Sequence, residues 1–105
     1  MARSSEYETI VVESFYPSDT SGRHGPVHIR PAQRQVFRQE LFVECSKDLV
    51  NLSRHPIGTK FRIQVKLTDR QGGTPFLYSY HGWPYEVVSE KEFRKAYMSS
   101  RRRAT

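Results

Sequence analysis

The chain has 105 residues, one cysteine and a formal charge of +6. That length fits a single domain burying only about 65% of the surface its unfolded form exposes, so a second core is excluded. No unbroken apolar run exceeds three residues, Ile10-Val11-Val12 and Leu41-Phe42-Val43 among them, against roughly 18 for a membrane span, and a lone cysteine closes no internal disulfide.

MARSSEYET carries acidic residues where a secretory signal has its apolar stretch, so the protein is read as cytoplasmic. The excess charge is uneven. Residues 1–25 hold two Lys/Arg against four Asp/Glu, residues 26–93 ten against seven, and residues 94–105 five basic residues and no acid. Residues 1–98 are expected to form the globular domain, with 99–105 a basic, flexible tail that serves as a phosphate-binding arm or only as a solubilising end.

Tyr7 to Tyr16 is rich in β-branched and aromatic residues and predicts the first strand. PSDTSGRHGP, residues 17–26, follows as a loop. Val27-His28-Ile29-Arg30 alternates until Pro31, which cannot donate to a central ladder. A third strand is expected over Gln39 to Cys45. Ser46 is placed to cap a one- or two-turn helix from Lys47, which His55-Pro56 and Gly58 must end.

KFRIQVKLTDR, residues 60–70, alternates Phe61, Ile63, Val65 and Leu67 with Lys60, Arg62, Gln64, Lys66 and Thr68, the pattern of a half-buried antiparallel strand. Gly72-Gly73 turns the chain so that TPFLYSY returns beside it. Tyr85 to Val88 makes a last short strand. Ser89 with Glu92 forms a capping box for a terminal helix from Glu90 to about Met98, with Phe93, Ala96 and Tyr97 on its docking face.

FLYSYHGWPY, residues 76–85, gathers six aromatic rings counting His81, including Trp83, the chain's only tryptophan. Opposed residues of an antiparallel hairpin share a face, so the turn length decides where the tyrosines point. A two-residue turn, which Gly-Gly favours, sets Leu67 opposite Tyr78 and Val65 opposite Tyr80. Both tyrosines then join the core under the terminal helix, and Leu77 faces outward. A three-residue turn sets Lys66 opposite Tyr78 instead and builds a basic, aromatic platform of the kind on which single-stranded bases stack.

His24, His28, His55 and His81 show no metal-ligand spacing, and no metal or cofactor is expected. Cys45 shares parity with Leu41 and Val43 and is read as a small buried residue. His81 and Tyr85 are the residues a small enzyme would use, the weakest of the functional readings.

Taken in order, the elements predict a mainly β, α+β fold: a single small antiparallel barrel or strongly curved sheet of five to six strands, with one short internal helix and a C-terminal helix. The order resembles that of an OB-fold barrel, an SH3-like barrel being the alternative. The resemblance implies a binding surface on the second and third strands and adjoining loops, uniting Arg23, His24, His28, Arg30 and Arg70. The expected function is a non-enzymatic module contacting nucleic acid through Arg23, His28, Arg30, Lys60, Arg62, Lys66, Arg70 and Trp83. The alternative is a protein-interaction module or homo-oligomer using Leu77, Trp83 and an exposed strand edge.

Overall fold

The computed structural model describes residues 7–17, 27–69 and 73–98. Arg23 and His24, the turn residues 70–72 and the basic tail 99–105 lie outside the described residues. Six strands make one mixed sheet: β1 (Glu8–Phe15), β2 (His28–Pro31), β3 (Val43–Glu44), β4 (Lys60–Thr68), β5 (Phe76–Tyr78) and β6 (Glu86–Val88). They run in the order β2-β1-β4-β5-β3, with β6 pairing β4 off this path. No described helix is long and apolar enough to cross a membrane.

β4 organises the sheet. Along one edge it pairs antiparallel with β1, from Glu8↔Val65 to Glu13↔Lys60. Along the other it pairs first with β6, Lys60↔Val88 to Arg62↔Glu86, and then with β5, Lys66↔Tyr78 to Thr68↔Phe76. The returning chain is thus one antiparallel partner interrupted by an excursion. Residues 79–85 stand where β4 has only residues 63–65, so the partner carries four extra residues.

The alternation of β4 is realised as two faces. Phe61, Ile63 and Val65 join Ile10, Val12, Ile29, Val43, Leu49 and Leu77 in the main core. On the opposite face Val11, Ala32, Val88 and Phe93 form a second, smaller cluster with Tyr97 packed against it. β1 therefore lies between two apolar layers at its centre, which is why Ile10, Val11 and Val12 are buried in succession rather than alternately.

The expected barrel does not form, in either its OB-like or its SH3-like version. β3 runs parallel to β5, so the sheet is mixed, and no ladder joins β2 to β3, so it stays open. The cause lies between Pro31 and Val43. β2 stops at Pro31, and of the strand expected over 39–45 only Val43–Glu44 pairs. Side chains satisfy the backbone in place of a ladder: the Val11 N–H donates to Gln35 Oε1 at 2.9 Å, and Gln39 Nε2 donates to the Pro31 carbonyl at 3.1 Å.

The internal helix is also reduced, to a single 3₁₀ turn over Lys47–Val50, whose Asp48 N–H donates to Ser46 Oγ at 3.2 Å. That leaves α1 (Glu90–Phe93) as the one α-helix among the described residues. The Glu92 N–H donates to Ser89 Oγ at 3.0 Å, and the chain continues with π-helical pitch over Arg94–Met98. The terminal helix was expected over Phe61, Ile63 and Val65, but α1 packs on the other face of the sheet, against Val11 and Val88.

The β4–β5 register also differs from the one Gly-Gly favours. Lys66, not Leu67, stands opposite Tyr78, and Leu67 stands opposite Leu77. A slip of one residue exchanges every side chain between faces. Leu77, expected at an outer contact surface, is fully buried, whereas Tyr78 is half-buried and Tyr80 is 44% exposed. The parallel pairing with β3 fixes this choice: Leu77 N–H donates to the Phe42 carbonyl at 2.8 Å and Ser79 N–H to the Glu44 carbonyl at 2.9 Å. Leu77 is thereby held against Val43 in the main core.

Phe61→Ala is expected to cost about 3–5 kcal/mol in denaturant unfolding, as large core truncations do, and Tyr78→Ala only about 1 kcal/mol, the usual range away from the core. Equal losses would place Tyr78 in the core and contradict the register.

Candidate nucleic-acid interface

The outer face of β4 brings Lys60, Arg62, Gln64 and Lys66 into one row, but the cations in it are not equivalent. Lys60 Nζ lies 3.1 Å from Glu90 Oε1 and 3.4 Å from Glu13 Oε1, and 5.0 Å from the Phe93 ring centroid. Its side chain is only 13% exposed. Arg62 is held by Glu86 at 2.8 Å and Glu92 at 3.3 Å. Arg30 donates from Nε to Glu13 Oε2 at 2.8 Å, with its guanidinium 4.3 Å from the Phe15 ring centroid. Three of the expected phosphate contacts are therefore engaged by the protein's own carboxylates. Their release to a ligand would leave Glu13, Glu86, Glu90 or Glu92 without a partner.

Lys66 differs. It takes part in no ion pair among the described residues, and its Nζ sits 5.9 Å from the Tyr7 ring centroid. Tyr7 meets Trp83 edge to face at 4.6 Å, and Trp83 meets Tyr80 at 5.7 Å. Tyr80 in turn lies 4.8 Å from His81, and Tyr78 stands opposite Lys66. No hydrogen bond among the described residues engages the hydroxyls of Tyr7, Tyr78 and Tyr80 or the Trp83 indole N–H. Rings with unused polar tips are the composition of contact surfaces more than of cores.

The excursion 79–85 presents these rings because both of its ends are tied down. Ser79 is bonded to β3, and at the far end Tyr85 OH donates to Asp48 Oδ2 at 3.4 Å while meeting His55 Nε2 at 3.1 Å. Between them the Trp83 N–H donates to the Tyr80 carbonyl at 3.1 Å, closing a turn. Gly82 lets the Tyr80 ring fold back over that turn, since a Cβ there would stand 2.6 Å from Tyr80 Cε2.

The other sequence candidates are dispersed. His28 is wedged between Phe15 at 6.1 Å and Phe42 at 5.9 Å on the far side of the sheet order, away from Lys66. Tyr85 lines a shallow hollow of about 220 Å³ with Thr9, Gln64 and Pro84, which His81 does not reach, and its hydroxyl is committed to Asp48 and His55. No group of three or more His, Cys, Asp or Glu among the described residues is arranged to hold a metal ion. Sequence reasoning missed Tyr7 as a member of the patch, and placed Tyr78 and Tyr80 there only under the three-residue turn. The signal available for Tyr7 was its place one residue before β1, which by extension of the ladder brings it to Lys66. It also missed Glu86, Glu90 and Glu92 as a set of acids facing the cations of β4.

Two titrations follow from this geometry. The hydrogen bond from Lys60, with its charge, holds the Glu90 carboxyl below the usual glutamate range. A carboxylate with a lowered folded-state pKa stabilises the fold above its unfolded value, and that contribution is lost as pH falls through the folded value. Glu90→Gln is accordingly expected to leave a shallower loss of thermal stability on acidification than the parent chain, and identical acid profiles would show the Lys60 pair to be inert. Burial, reinforced by the Glu44 charge, pushes the Cys45 thiol up to about 12. Cys45, expected to be buried, is partly buried against the main core; only the thiolate is a nucleophile, so alkylation of Cys45 at pH 8 should be slower in the native chain than in denaturant, and a native rate equal to that of an unfolded thiol would refute its partial burial. Comparison with known protein families, with curated proteins and with solved structures finds no match to this chain.

Proposed function

We infer that the protein is a non-enzymatic module that binds single-stranded nucleic acid through Lys66 and the rings of Tyr7, Tyr78, Tyr80 and Trp83. The observation that carries this reading is the register Lys66↔Tyr78, which sets a strand cation that has no carboxylate partner among the described residues beside amphipathic rings whose polar tips make no hydrogen bond among them either. Bases of any sequence have a π face to offer such rings, at about 1–3 kcal/mol per stacked base, while the phosphate between them meets the ammonium. Only single strands leave those faces open. Lys60, Arg62 and Arg30 are given no direct role, since their charge is already met by Glu13, Glu86, Glu90 and Glu92. A site with few phosphate contacts binds with modest affinity and shallow salt dependence.

Trp83, as the only tryptophan, reports on the site directly. Titration with oligothymidylate at low salt is expected to quench its fluorescence, and Tyr80→Ala to weaken binding by about tenfold or more, the loss of one stacking partner. Lys66→Ala should reduce the slope of log K against log salt by about 0.7, the value for one single-strand phosphate. Unchanged fluorescence with single- and double-stranded oligonucleotides would overturn the reading, as would a Lys60→Ala slope change equal to that of Lys66→Ala.

A further inference from the structure

At the end of the sheet where β5 begins, away from the excursion and its rings, the loop after β2 and the segment leading into β5 enclose a groove of about 530 Å³ lined by Leu41, Phe42, Pro75 and Phe76, with Arg38 and Glu40 at its rim. It continues into a hollow of about 230 Å³ that shares Arg38, Leu41 and Pro75 and adds Val36 and Leu67. Val36 is 72% exposed, Leu67 51% and Phe42 49%. Among the described residues Val36 and Leu67 are the two most exposed large apolar side chains, and with Phe42 they border one continuous groove, which marks an interaction surface rather than scattered exposure.

The charges on the rim say what covers it. Arg38 Nε lies 3.8 Å from Glu40 Oε1, and the two side chains are 76% and 80% exposed. A partner of one dominant sign would match one of them and be repelled by the other. A second copy of the same surface, turned by a twofold axis, matches both, because Arg38 of each copy then meets Glu40 of the other. The apolar relief is self-complementary in the same way: the projecting Val36 sits beside the groove, so each copy offers both the knob and the hole. We propose that this groove is the interface of a symmetric homodimer, with Val36 of one protomer seated in the Leu41, Phe42 and Pro75 groove of its partner. The interface is separate from the Lys66 face, so the two protomers of a dimer would present two such faces to one strand.

Sedimentation velocity on the full chain from micromolar to millimolar protein tests this. The mass is expected to rise from 12.3 kDa toward twice that value and no further. Val36→Lys, at an exposed loop position where folding is not at stake, should keep the protein monomeric over that range with an unchanged melting temperature. Arg38→Glu and Glu40→Arg, each alone, should weaken dimerisation by setting like charges across the axis, and the double variant should restore it. A monomer at every concentration, association that survives Val36→Lys, open-ended assembly, or a double variant no better than the single ones would each overturn the proposal. Oligothymidylate quenching of Trp83 by the Val36→Lys monomer keeps this outcome distinct from that of the binding site.

Discussion

The structure depends on β4 being paired along both edges while its second partner is four residues too long. β1 matches Lys60 to Val65 residue for residue. The returning chain pairs at both ends of β4, and its surplus leaves the sheet as the excursion 79–85. Wide interruptions of this kind raise a loop from a strand without breaking the sheet, and they re-aim side chains as they do so. Here the raised segment carries Tyr80, His81 and Trp83, and it stands over the part of β4 that bears Gln64 and Lys66. The aromatic patch is thus a consequence of mismatched strand lengths under a fixed register, with Gly82 and the turn at Trp83 accommodating the bend.

The same pairing divides the outer face of β4 by charge. Near Lys60 and Arg62 the partner is β6, and its continuation into α1 supplies Glu86, Glu90 and Glu92, so that end is an internal ion-pair network capping the Val11, Val88 and Phe93 cluster. Near Lys66 the partner is β5, which brings Tyr78 and no acid. Cations two and four positions apart on one strand therefore have different roles. Lys60 and Arg62 tie α1 and β6 to the sheet, and Lys66 meets rings in place of an acid among the described residues.

Much of the local structure was legible because it rests on short-range chemistry. The alternation of Phe61, Ile63 and Val65, the caps at Ser46 and Ser89 and the stop at Pro31 each follow from one residue type in one backbone context. The open sheet was not legible, because closure depends on whether β2 and β3 pair, and Gln35 and Gln39 instead satisfy backbone groups from 24 and 8 residues away. Nothing in the local pattern of 33–42 distinguishes a strand from a loop tacked down by two amides. The register failed for a related reason: Gly-Gly is local evidence for a tight turn, while the observed pairing is fixed by Leu77 and Ser79 on a parallel neighbour more than thirty residues earlier in the chain. Of the candidate site, Lys66, Trp83, Tyr78 and Tyr80 could be named from the sequence, whereas Tyr7 and the neutralisation of Arg30, Lys60 and Arg62 required the tertiary positions of β1 and of four glutamates.

The β4–β5 register decides whether the aromatic platform exists, and interstrand nuclear Overhauser effects measure it directly. Backbone cross-peaks linking Lys66 with Tyr78 and Leu67 with Leu77 are the expected result. Cross-peaks linking Leu67 with Tyr78 and Lys66 with Ser79 would contradict it, since they would turn Tyr78 into the core and leave Lys66 without its aromatic partners.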